Sequence, residues 1–267
     1  MSKEILGSLE LNRIYQFDCV DGMKLLPDNC IDLTVTSPPY DNLRSYKGYS
    51  FDFENVANEL YRITKDGGTV VWVVNDKTIK GSETLSSFAQ AIYFKEIGFN
   101  VHDTMIWRKT NPPPQTKVGK RYTSAFEYMF VFTKGKINTY NPIMTETKMA
   151  GKVLTFNVSQ RKENGEFRED RREARRNTKV KNEKPLTNVW DISCSKGYEG
   201  HPATFPEKIA QDHILTWSNE DDIILDCFMG SGTTAKMATL NNRKWLGFEI
   251  AQEYIEVANK RLDSIQN

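Results

Sequence analysis

The feature that most constrains the fold is the alternation of short apolar runs with stretches of helical periodicity. The runs are rich in β-branched and aromatic residues, which favour strands. They lie at residues 14–17, 31–36, 69–74, 101–107, 127–132, 223–227 and 245–249. Helical periodicity marks residues 53–65, 83–97, 235–240 and 252–265. Strands that alternate with helices are typical of an α/β fold built on a mainly parallel sheet.

The length and the strand order give a coarse architecture. A chain of 267 residues can bury one sizeable core, so we expect one large domain with insertions. The runs at 101–107 and 127–132 have no good helix between them, and we predict that they are antiparallel partners. The sequence therefore predicts a mixed sheet of about seven strands.

Charge and cysteine content limit the partners and the kinds of site that we expect. The 36 Lys and Arg residues nearly balance the 35 Asp and Glu residues, so a nucleic acid would have to bind a local basic surface. The four cysteines show no C-x-x-C pair and no zinc-type spacing, and we expect them to be reduced, with no metal site. We find neither a signal peptide nor a transmembrane stretch, and we expect a cytoplasmic protein without a membrane partner.

A predicted strand near the C-terminus runs into a glycine turn and then into a helix. Residues 226–232 read D-C-F-M-G-S-G. Glycines let the backbone approach a ligand closely, and the first turn of a helix offers unpaired N–H groups. Glu249 ends the next predicted strand, where a carboxylate can accept hydrogen bonds from ribose hydroxyls. Ala235 replaces the third glycine of the dinucleotide fingerprint, which favours a nucleoside cofactor without a pyrophosphate.

An earlier predicted strand, at 31–36, runs directly into Ser37-Pro38-Pro39-Tyr40. Two successive prolines fix the backbone and remove two N–H donors, so carbonyl oxygens are left as acceptors. With the Ser37 hydroxyl as a further acceptor, this turn suits an amine, and Tyr40 offers a face for a planar group. The alternative interpretation is a rigid proline turn that only closes the strand.

The two segments can meet despite their distance in sequence. In doubly wound sheets, ligands bind beyond the carboxyl ends of the strands, at the point where the winding direction reverses. If the strands at 31–36 and 223–227 are neighbours there, the proline turn and the glycine loop face one crevice.

These segments resemble the amino methyltransferases of DNA, in particular the beta class, in which the catalytic tetrapeptide precedes the cofactor loop. The S-P-P-Y turn is similar to the family signature (D/N/S)-P-P-(Y/F/W), and residues 226–232 are similar to its D-x-F-x-G-x-G loop. A third segment, H-P-A-T-F-P-E-K at 201–208, resembles the segment on the cofactor side. It departs from the family pattern at Thr204 and Phe205, where lysine and glutamine are often seen.

The resemblance implies a Rossmann-like S-adenosylmethionine-dependent methyltransferase fold, with a seven-stranded mixed sheet, permuted motifs and a target-recognition insertion. It implies that Ser37, Pro38, Pro39 and Tyr40 are catalytic, that Asp18 contacts the adenine of the cofactor and that Glu249 holds its ribose. The other predicted cofactor-binding residues are Phe205, Pro206, Asp226, Phe228, Gly230, Gly232, Thr233 and Thr234. We interpret His201 as a structural residue at a proline turn.

The resemblance also suggests how the chain is divided. Residues 1–110 are predicted to form the catalytic half, 111–185 a β-hairpin excursion with a basic target-recognition insertion, and 186–267 the cofactor-binding half. A charge run such as 161–184 would by itself be read as a solvated surface. In a chain whose other motifs imply DNA, it becomes the leading candidate for phosphate contacts. The predicted contacts are Arg171, Arg172, Arg175 and Arg176.

The predicted function is methyl transfer from S-adenosylmethionine to the exocyclic N4 of cytosine in double-stranded DNA, with the target base flipped out of the helix. Serine at the first tetrapeptide position more often accompanies cytosine in this family, and N6-adenine methylation is the alternative. A role in restriction-modification is expected. The sequence leaves open whether the chain forms a homodimer and whether it has a cognate restriction endonuclease as a partner.

Three other classes are weighed against this function. Methylation of RNA or of a protein amide uses similar tetrapeptides. A nicotinamide-dependent oxidoreductase would share the glycine turn and the ribose acid, but the missing third glycine and the Pro-Pro turn count against it. A non-catalytic DNA-binding module would have no need to retain both the cofactor signal and the amine-site signal.

Overall fold

The computed structural model describes residues 4–39, 51–112, 120–153, 164, 166, 179–195 and 206–266. The chain forms two compact units, one of Met1–Asn141 with Asn188–Asn267 and one of Pro142–Thr187. The smaller unit contains an antiparallel pair of short strands, in which Thr145 lies opposite Lys184. The domain boundaries given above stay predictions.

The elements alternate between strand and helix along most of the described chain. In chain order they are β1 (Ile5–Leu6), β2 (Leu9–Glu10), β3 (Arg13–Gln16), α1 (Cys19–Lys24), β4 (Ile31–Thr36), α2 (Phe53–Ile63), β5 (Thr64–Val74), β6 (Thr78–Ile79), β7 (Ser82–Glu83), α3 (Ser86–Glu96), β8 (Asn100–Lys109), β9 (Phe126–Thr133), β10 (Met144–Glu146), β11 (Glu183–Pro185), β12 (Val189–Ile192), α4 (Glu207–Trp217), β13 (Ile223–Asp226), α5 (Thr233–Leu240), β14 (Lys244–Glu249) and α6 (Gln252–Gln266). None of these helices is long and apolar enough to cross a lipid bilayer.

The larger unit is built on one mixed sheet of eight strands, in the order β12-β8-β9-β5-β4-β13-β14-β3. Strand β9 runs antiparallel to both neighbours, β5 and β8, and the other pairings are parallel. The α/β class and the antiparallel pairing of residues 101–107 with 127–132 are thereby confirmed. The expected number of seven strands is one too low, because it leaves out β12. The residues of this strand alternate between exposed and buried, and Asp191 interrupts them, so they do not form a continuous apolar run.

The winding direction reverses between β4 and β13. From β4 the chain proceeds to β5 on one side, and from β13 it proceeds to β14 on the other. The two strands pair in parallel, with Leu33 opposite Ile224 and Thr34 opposite Leu225. The prediction that these strands are neighbours is confirmed, and their carboxyl ends open at the same edge of the sheet.

Aromatic packing fixes the sheet against helices α2 and α3. The Trp72 ring is fully buried between Phe53 and Phe94, at centroid distances of 6.1 and 5.2 Å. Phe94 in turn stacks on Phe132 at 4.5 Å. The Trp72 indole N–H donates to Oε1 of Gln90 over 2.9 Å, so the one polar atom of this ring is satisfied. These contacts pack strand β5 against helices α2 and α3.

Helix α4 carries a buried neutral histidine. The Trp217 indole N–H donates to Nδ1 of His213 over 3.1 Å, which leaves the ring proton on Nε2, 3.4 Å from the sulfur of Met129. The Trp190 ring of β12 lies 4.6 Å from the imidazole. Burial lowers the pKa of His213 to about 3, so the ring is neutral at physiological pH.

Two helix boundaries differ from those predicted. Helix α2 ends at Ile63 and not at Lys65, because Thr64 is already extended and begins β5. Helix α3 begins at Ser86 and not at Glu83, because the short β6–β7 hairpin precedes it. The Asp76 carboxylate accepts a hydrogen bond from the Ser87 N–H over 2.9 Å and supports the true start of the helix.

Candidate active site

The carboxyl ends of β4 and β13 are joined through one buried carboxylate. Asp226 accepts a hydrogen bond at Oδ1 from the Thr36 hydroxyl over 2.6 Å and another from the Phe228 N–H over 3.1 Å. Its Oδ2 accepts from the Thr234 hydroxyl over 2.7 Å. Burial raises the pKa of Asp226, and these three hydrogen bonds oppose the rise. The residue thus connects the strand that leads into Ser37 with the glycine loop and with helix α5.

Asp226 therefore positions the glycine loop relative to β4, in addition to the cofactor contact predicted for it. The Thr234 hydroxyl also lies 3.2 Å from the carbonyl oxygen of Val35, which adds a second link between α5 and β4. Thr36, Thr234 and Asp226 are all nearly inaccessible to solvent. The proline turn and the glycine loop are therefore held side by side by hydrogen bonds within the crevice wall.

The glycine loop needs glycine at two positions. Gly230 and Gly232 have φ angles of 50° and 77°, in the left-handed region that side chains with a Cβ disfavour. A Cβ at Gly232 would also lie 2.9 Å from Cβ of Ala258 in α6. Helix α5 follows at once, and Gly232 provides no side chain to cap it. The first turn of α5 therefore presents N–H groups toward any ligand above the loop.

Glu249 lies at the end of β14, directly beside this loop. Its Oε2 accepts from the Gly230 N–H over 2.8 Å, and its Oε1 accepts from the Ala251 N–H over 2.9 Å. Burial raises the pKa of Glu249, while backbone hydrogen bonds lower it. Each carboxylate oxygen has two lone pairs, so both oxygens retain acceptor capacity for a pair of hydroxyl groups.

Asp18 lies at the same edge of the sheet. It follows β3, which pairs with β14 so that Gln16 is opposite Glu249. The Asp18 carboxylate caps helix α1 by accepting from the Val20 N–H over 2.9 Å. The neighbouring Phe17 exposes 38 % of its surface, an aromatic face at the crevice edge that the sequence interpretation did not include.

The tetrapeptide is described as far as its second proline. Ser37 and Pro39 are half-buried, and Pro38 is buried. Phe228 of the glycine loop packs edge-on against Phe51 at 5.6 Å. Aromatic packing therefore also supports the glycine loop.

Some predicted residues lie outside the described residues, and others were missed. Those outside are Tyr40, Phe205, Arg171, Arg172, Arg175 and Arg176, together with His201. Pro206 is described, and it immediately precedes helix α4. Arg261 was missed, and Glu207 was noted only as part of the 201–208 segment; Arg261 donates to Ser231 in the glycine loop and to Glu207. The sequence signal for them is weak, since a single arginine in a surface helix usually lies in solvent.

The known proteins that this chain resembles match most of its length. A family model described as DNA methylase matches residues 31–260. The orphan methyltransferase M.BamHII of Bacillus amyloliquefaciens is 53% identical over 245 residues, covering 88% of this chain and 89% of that protein.

Two solved structures share the fold. The PvuII DNA methyltransferase, described as cytosine-N4-specific, has a TM-score of 0.68 at 20% identity and covers 93% of this chain and 85% of that one. TTHA0409 of Thermus thermophilus, solved in complex with S-adenosyl-L-methionine, has a TM-score of 0.61 at 23% identity and covers 94% of this chain and 95% of that one.

Proposed function

Since the chain belongs to the DNA methylase family, and is thus an S-adenosylmethionine-dependent DNA methyltransferase, we propose that it methylates the exocyclic N4 of cytosine in double-stranded DNA. The observation that carries this proposal is the 2.6 Å hydrogen bond between Thr36 and Asp226. It places the residue before Ser37 against the first residue of the glycine loop. A methyl donor above the loop and an amine held by the tetrapeptide would then share one crevice.

The residues at this edge fit S-adenosylmethionine. Glu249 keeps acceptor capacity for the two ribose hydroxyls, and the uncapped start of α5 suits the carboxylate of the methionine part. Gly230 and Gly232 let the backbone approach the ligand closely. We propose that Asp18 and Phe228 complete this site, with Phe205, Pro206, Thr233 and Thr234 around it.

The chemistry divides between the donor and the protein. The sulfonium of S-adenosylmethionine supplies a methyl group that is already strongly electrophilic. An exocyclic amine is a poor nucleophile, because its lone pair is delocalised into the ring. The Ser37 hydroxyl and the Pro38 carbonyl accept hydrogen bonds from the two amine hydrogens, which favours a pyramidal nitrogen with its lone pair aimed at the methyl group. No strong general base is required before attack, because the methyl–sulfur bond breaks as the nitrogen–methyl bond forms, and the nitrogen, now cationic, then releases its proton past the Ser37 hydroxyl to water.

The target base must leave the duplex to reach the crevice. Methyltransferases that act on DNA extrude the target nucleotide, and the flipped base needs a surface on which to stack. We propose that Tyr40 provides this surface and that Pro39, whose ring fixes its own φ angle, makes the turn before Tyr40 rigid. Arg171, Arg172, Arg175 and Arg176 would contact phosphates and hold the duplex in place.

Ser37 favours cytosine as the target, since serine in this position of the family more often accompanies N4-cytosine methylation. The same acceptors also suit the N6 amine of adenine, and adenine is the second candidate. The test is mass spectrometry of nucleosides from DNA that the purified protein has methylated. We expect N4-methylcytosine, and N6-methyladenine as the sole product would refute the cytosine assignment.

A variant series separates the amine site from the cofactor site. Ser37→Ala should lower kcat while S-adenosylmethionine still binds with the affinity of the wild type, as measured by titration calorimetry. Ser82→Ala is a matched control, because the Ser82 hydroxyl is exposed and donates to the Glu83 carbonyl in the β6–β7 hairpin. Full activity of the Ser37→Ala protein would remove Ser37 from the mechanism.

The partners are open to direct measurement. We propose that the chain acts in a restriction-modification system, and sequencing methylated DNA from an expressing host would give the recognition site. Replacing the four arginines of the basic insertion with glutamine should weaken DNA binding and flatten its salt dependence. Light scattering would test a homodimer, and co-purification would test a cognate endonuclease.

A further inference from the structure

Arg261 of helix α6 reaches the glycine loop from outside the motifs that define the site. Its side chain is only 11% exposed. One terminal nitrogen donates to the carbonyl and, over 2.9 Å, to the hydroxyl of Ser231, and it lies 3.3 Å from the Thr233 hydroxyl. The other donates over 2.8 Å to Oε1 of Glu207. A planar guanidinium can make these bonds at once, because its donors lie in a fixed fork.

Ordering the glycine loop that Arg261 contacts has a high entropic cost, so hydrogen bonds from outside the loop are needed to stabilise it. Ser231 lies between Gly230 and Gly232, both of which are left-handed. Glycine loses more conformational freedom on folding than any other residue, so a loop with two of them is costly to order. Ser231 is itself almost fully buried, and its carbonyl would be left without this charged donor if Arg261 were removed.

Helix α6 packs along the glycine loop. A Cβ on Gly232 would lie 2.9 Å from Cβ of Ala258, and Arg261 follows Ala258 by one helical turn on the same face. Ala258 limits how far the loop can move outward, and Arg261 holds its carbonyl. The two contacts act on adjacent residues of the loop.

Glu207 orients the guanidinium and links the loop to α4. Its Oε1 also accepts from Lys236 of α5 over 2.8 Å. Burial disfavours the charged form of Glu207, but the hydrogen bonds from Lys236 and Arg261 outweigh it and lower its pKa. One carboxylate therefore connects the starts of α4 and α5 with α6.

We propose that Arg261 is a positioning residue that holds the glycine loop in the conformation that binds S-adenosylmethionine, and that Glu207 orients Arg261 for this task. This inference rests on the proposed function, since it takes the loop to be the cofactor loop. It predicts that the C-terminal helix controls cofactor affinity without contacting substrate DNA or the target amine.

The test compares Arg261→Ala, Arg261→Lys and Glu207→Gln with the wild type. We expect Arg261→Ala to raise the dissociation constant for S-adenosylmethionine at least about tenfold, because a charged donor to a buried carbonyl is lost. Arg261→Lys should recover part of this loss, since an ammonium can replace some of the bonds of the guanidinium. At saturating cofactor, kcat should stay within about threefold of the wild type, because the tetrapeptide is untouched.

Arg62 offers a matched control. Its guanidinium also donates to backbone carbonyls, those of Met23 and Leu26, and to Glu59. These partners lie outside the glycine loop, so Arg62→Ala should lower the unfolding midpoint without changing cofactor affinity. A general effect of removing a half-buried arginine is thereby separated from a specific effect on the loop.

The outcomes discriminate between the inference and the function on which it rests. A folded Arg261→Ala protein that binds S-adenosylmethionine as the wild type does would overturn the inference. Should Arg261→Ala fail to fold, unchanged affinity in both Arg261→Lys and Glu207→Gln would overturn it equally. If the wild type itself shows no binding of S-adenosylmethionine in calorimetry, the proposed function is overturned, and the inference that rests on it is overturned too.

Discussion

Replacing Gly232 with alanine probes the cofactor loop at its most constrained point. The φ angle of Gly232 is 77°, and a Cβ there would lie 2.9 Å from Cβ of Ala258. Alanine therefore meets two separate penalties, one in its own backbone and one against α6. The loop can relieve both only by leaving the conformation seen here.

The size of each penalty can be worked out. A left-handed residue with a Cβ costs about 1–2 kcal/mol. Carbon atoms pack best at about 3.5–4.0 Å, and forcing an extra methyl group into a tight site costs about 1–3 kcal/mol. If binding has to restore only the left-handed backbone, about 1–2 kcal/mol corresponds to an affinity loss of about five- to thirtyfold. The steric penalty increases the loss further.

Two companion variants separate these penalties. Gly81→Ala introduces a Cβ at a φ of 84° with nothing within 4 Å, so it carries the backbone penalty alone, in the β6–β7 hairpin and outside the glycine loop. It should lower stability and leave cofactor affinity unchanged. Ala258→Gly removes the methyl group that Gly232→Ala would strike, so the double variant should recover the steric part of the loss and keep the backbone part.

Titration calorimetry with S-adenosylmethionine measures the wild type, Gly232→Ala, Gly81→Ala and the double variant of Gly232→Ala with Ala258→Gly, and circular dichroism confirms that each is folded. The reasoning is refuted if folded Gly232→Ala binds the cofactor within about twofold of the wild type, since even the backbone penalty alone predicts a larger loss. It is also refuted if Gly81→Ala loses as much affinity as Gly232→Ala, because the effect would then be global.

Two further predictions use buried polar groups. In urea titrations, Thr36→Val should lower the free energy of unfolding by about 1–3 kcal/mol, since Asp226 loses a hydrogen-bond donor. Thr34→Val should be neutral or stabilising in the same titrations, because the buried Thr34 hydroxyl has no hydrogen-bond partner in the described part of the chain. His213→Gln should flatten the loss of stability on acidification. Burial lowers the folded pKa from 6.5 to about 3, so between these values the unfolded chain binds the extra proton and stability falls as the pH falls, by about 1.4 kcal/mol per pH unit. An equal pH slope in variant and wild type would contradict this.

The strands of the central sheet were predictable because burial on both faces leaves near-continuous apolar runs. The residues 69–74 in β5 and 223–226 in β13 read this way, and both are almost wholly buried. Strand β12 gave no such signal. Its residues alternate between exposed and buried, as expected for a strand that is covered on only one of its two faces.

The candidate site was predictable where chemistry leaves a local pattern. Gly230, Gly232 and Glu249 follow from the strand-turn-helix context, and the structure places them together. Arg261 leaves no pattern, and Glu207 stands out only as part of the 201–208 segment, because the contact between the two depends on how helices α4 and α6 approach the loop. Such contacts are set by tertiary packing, and periodicity within one helix carries no information about them.

The juxtaposition of tetrapeptide and glycine loop depends on strand register more than on either motif. Thr36 and Asp226 are separated by 190 positions in the chain, yet they meet because Thr34 pairs with Leu225. A slip of one residue would turn every side chain of β4 to the opposite face and remove the Thr36 hydroxyl from Asp226. The sheet interior forbids that slip, since Thr34 and Thr36 would exchange places with Leu33 and Val35 in a buried core. The distance between Thr36, which precedes the tetrapeptide, and Asp226 of the glycine loop is therefore fixed by the packing of the sheet.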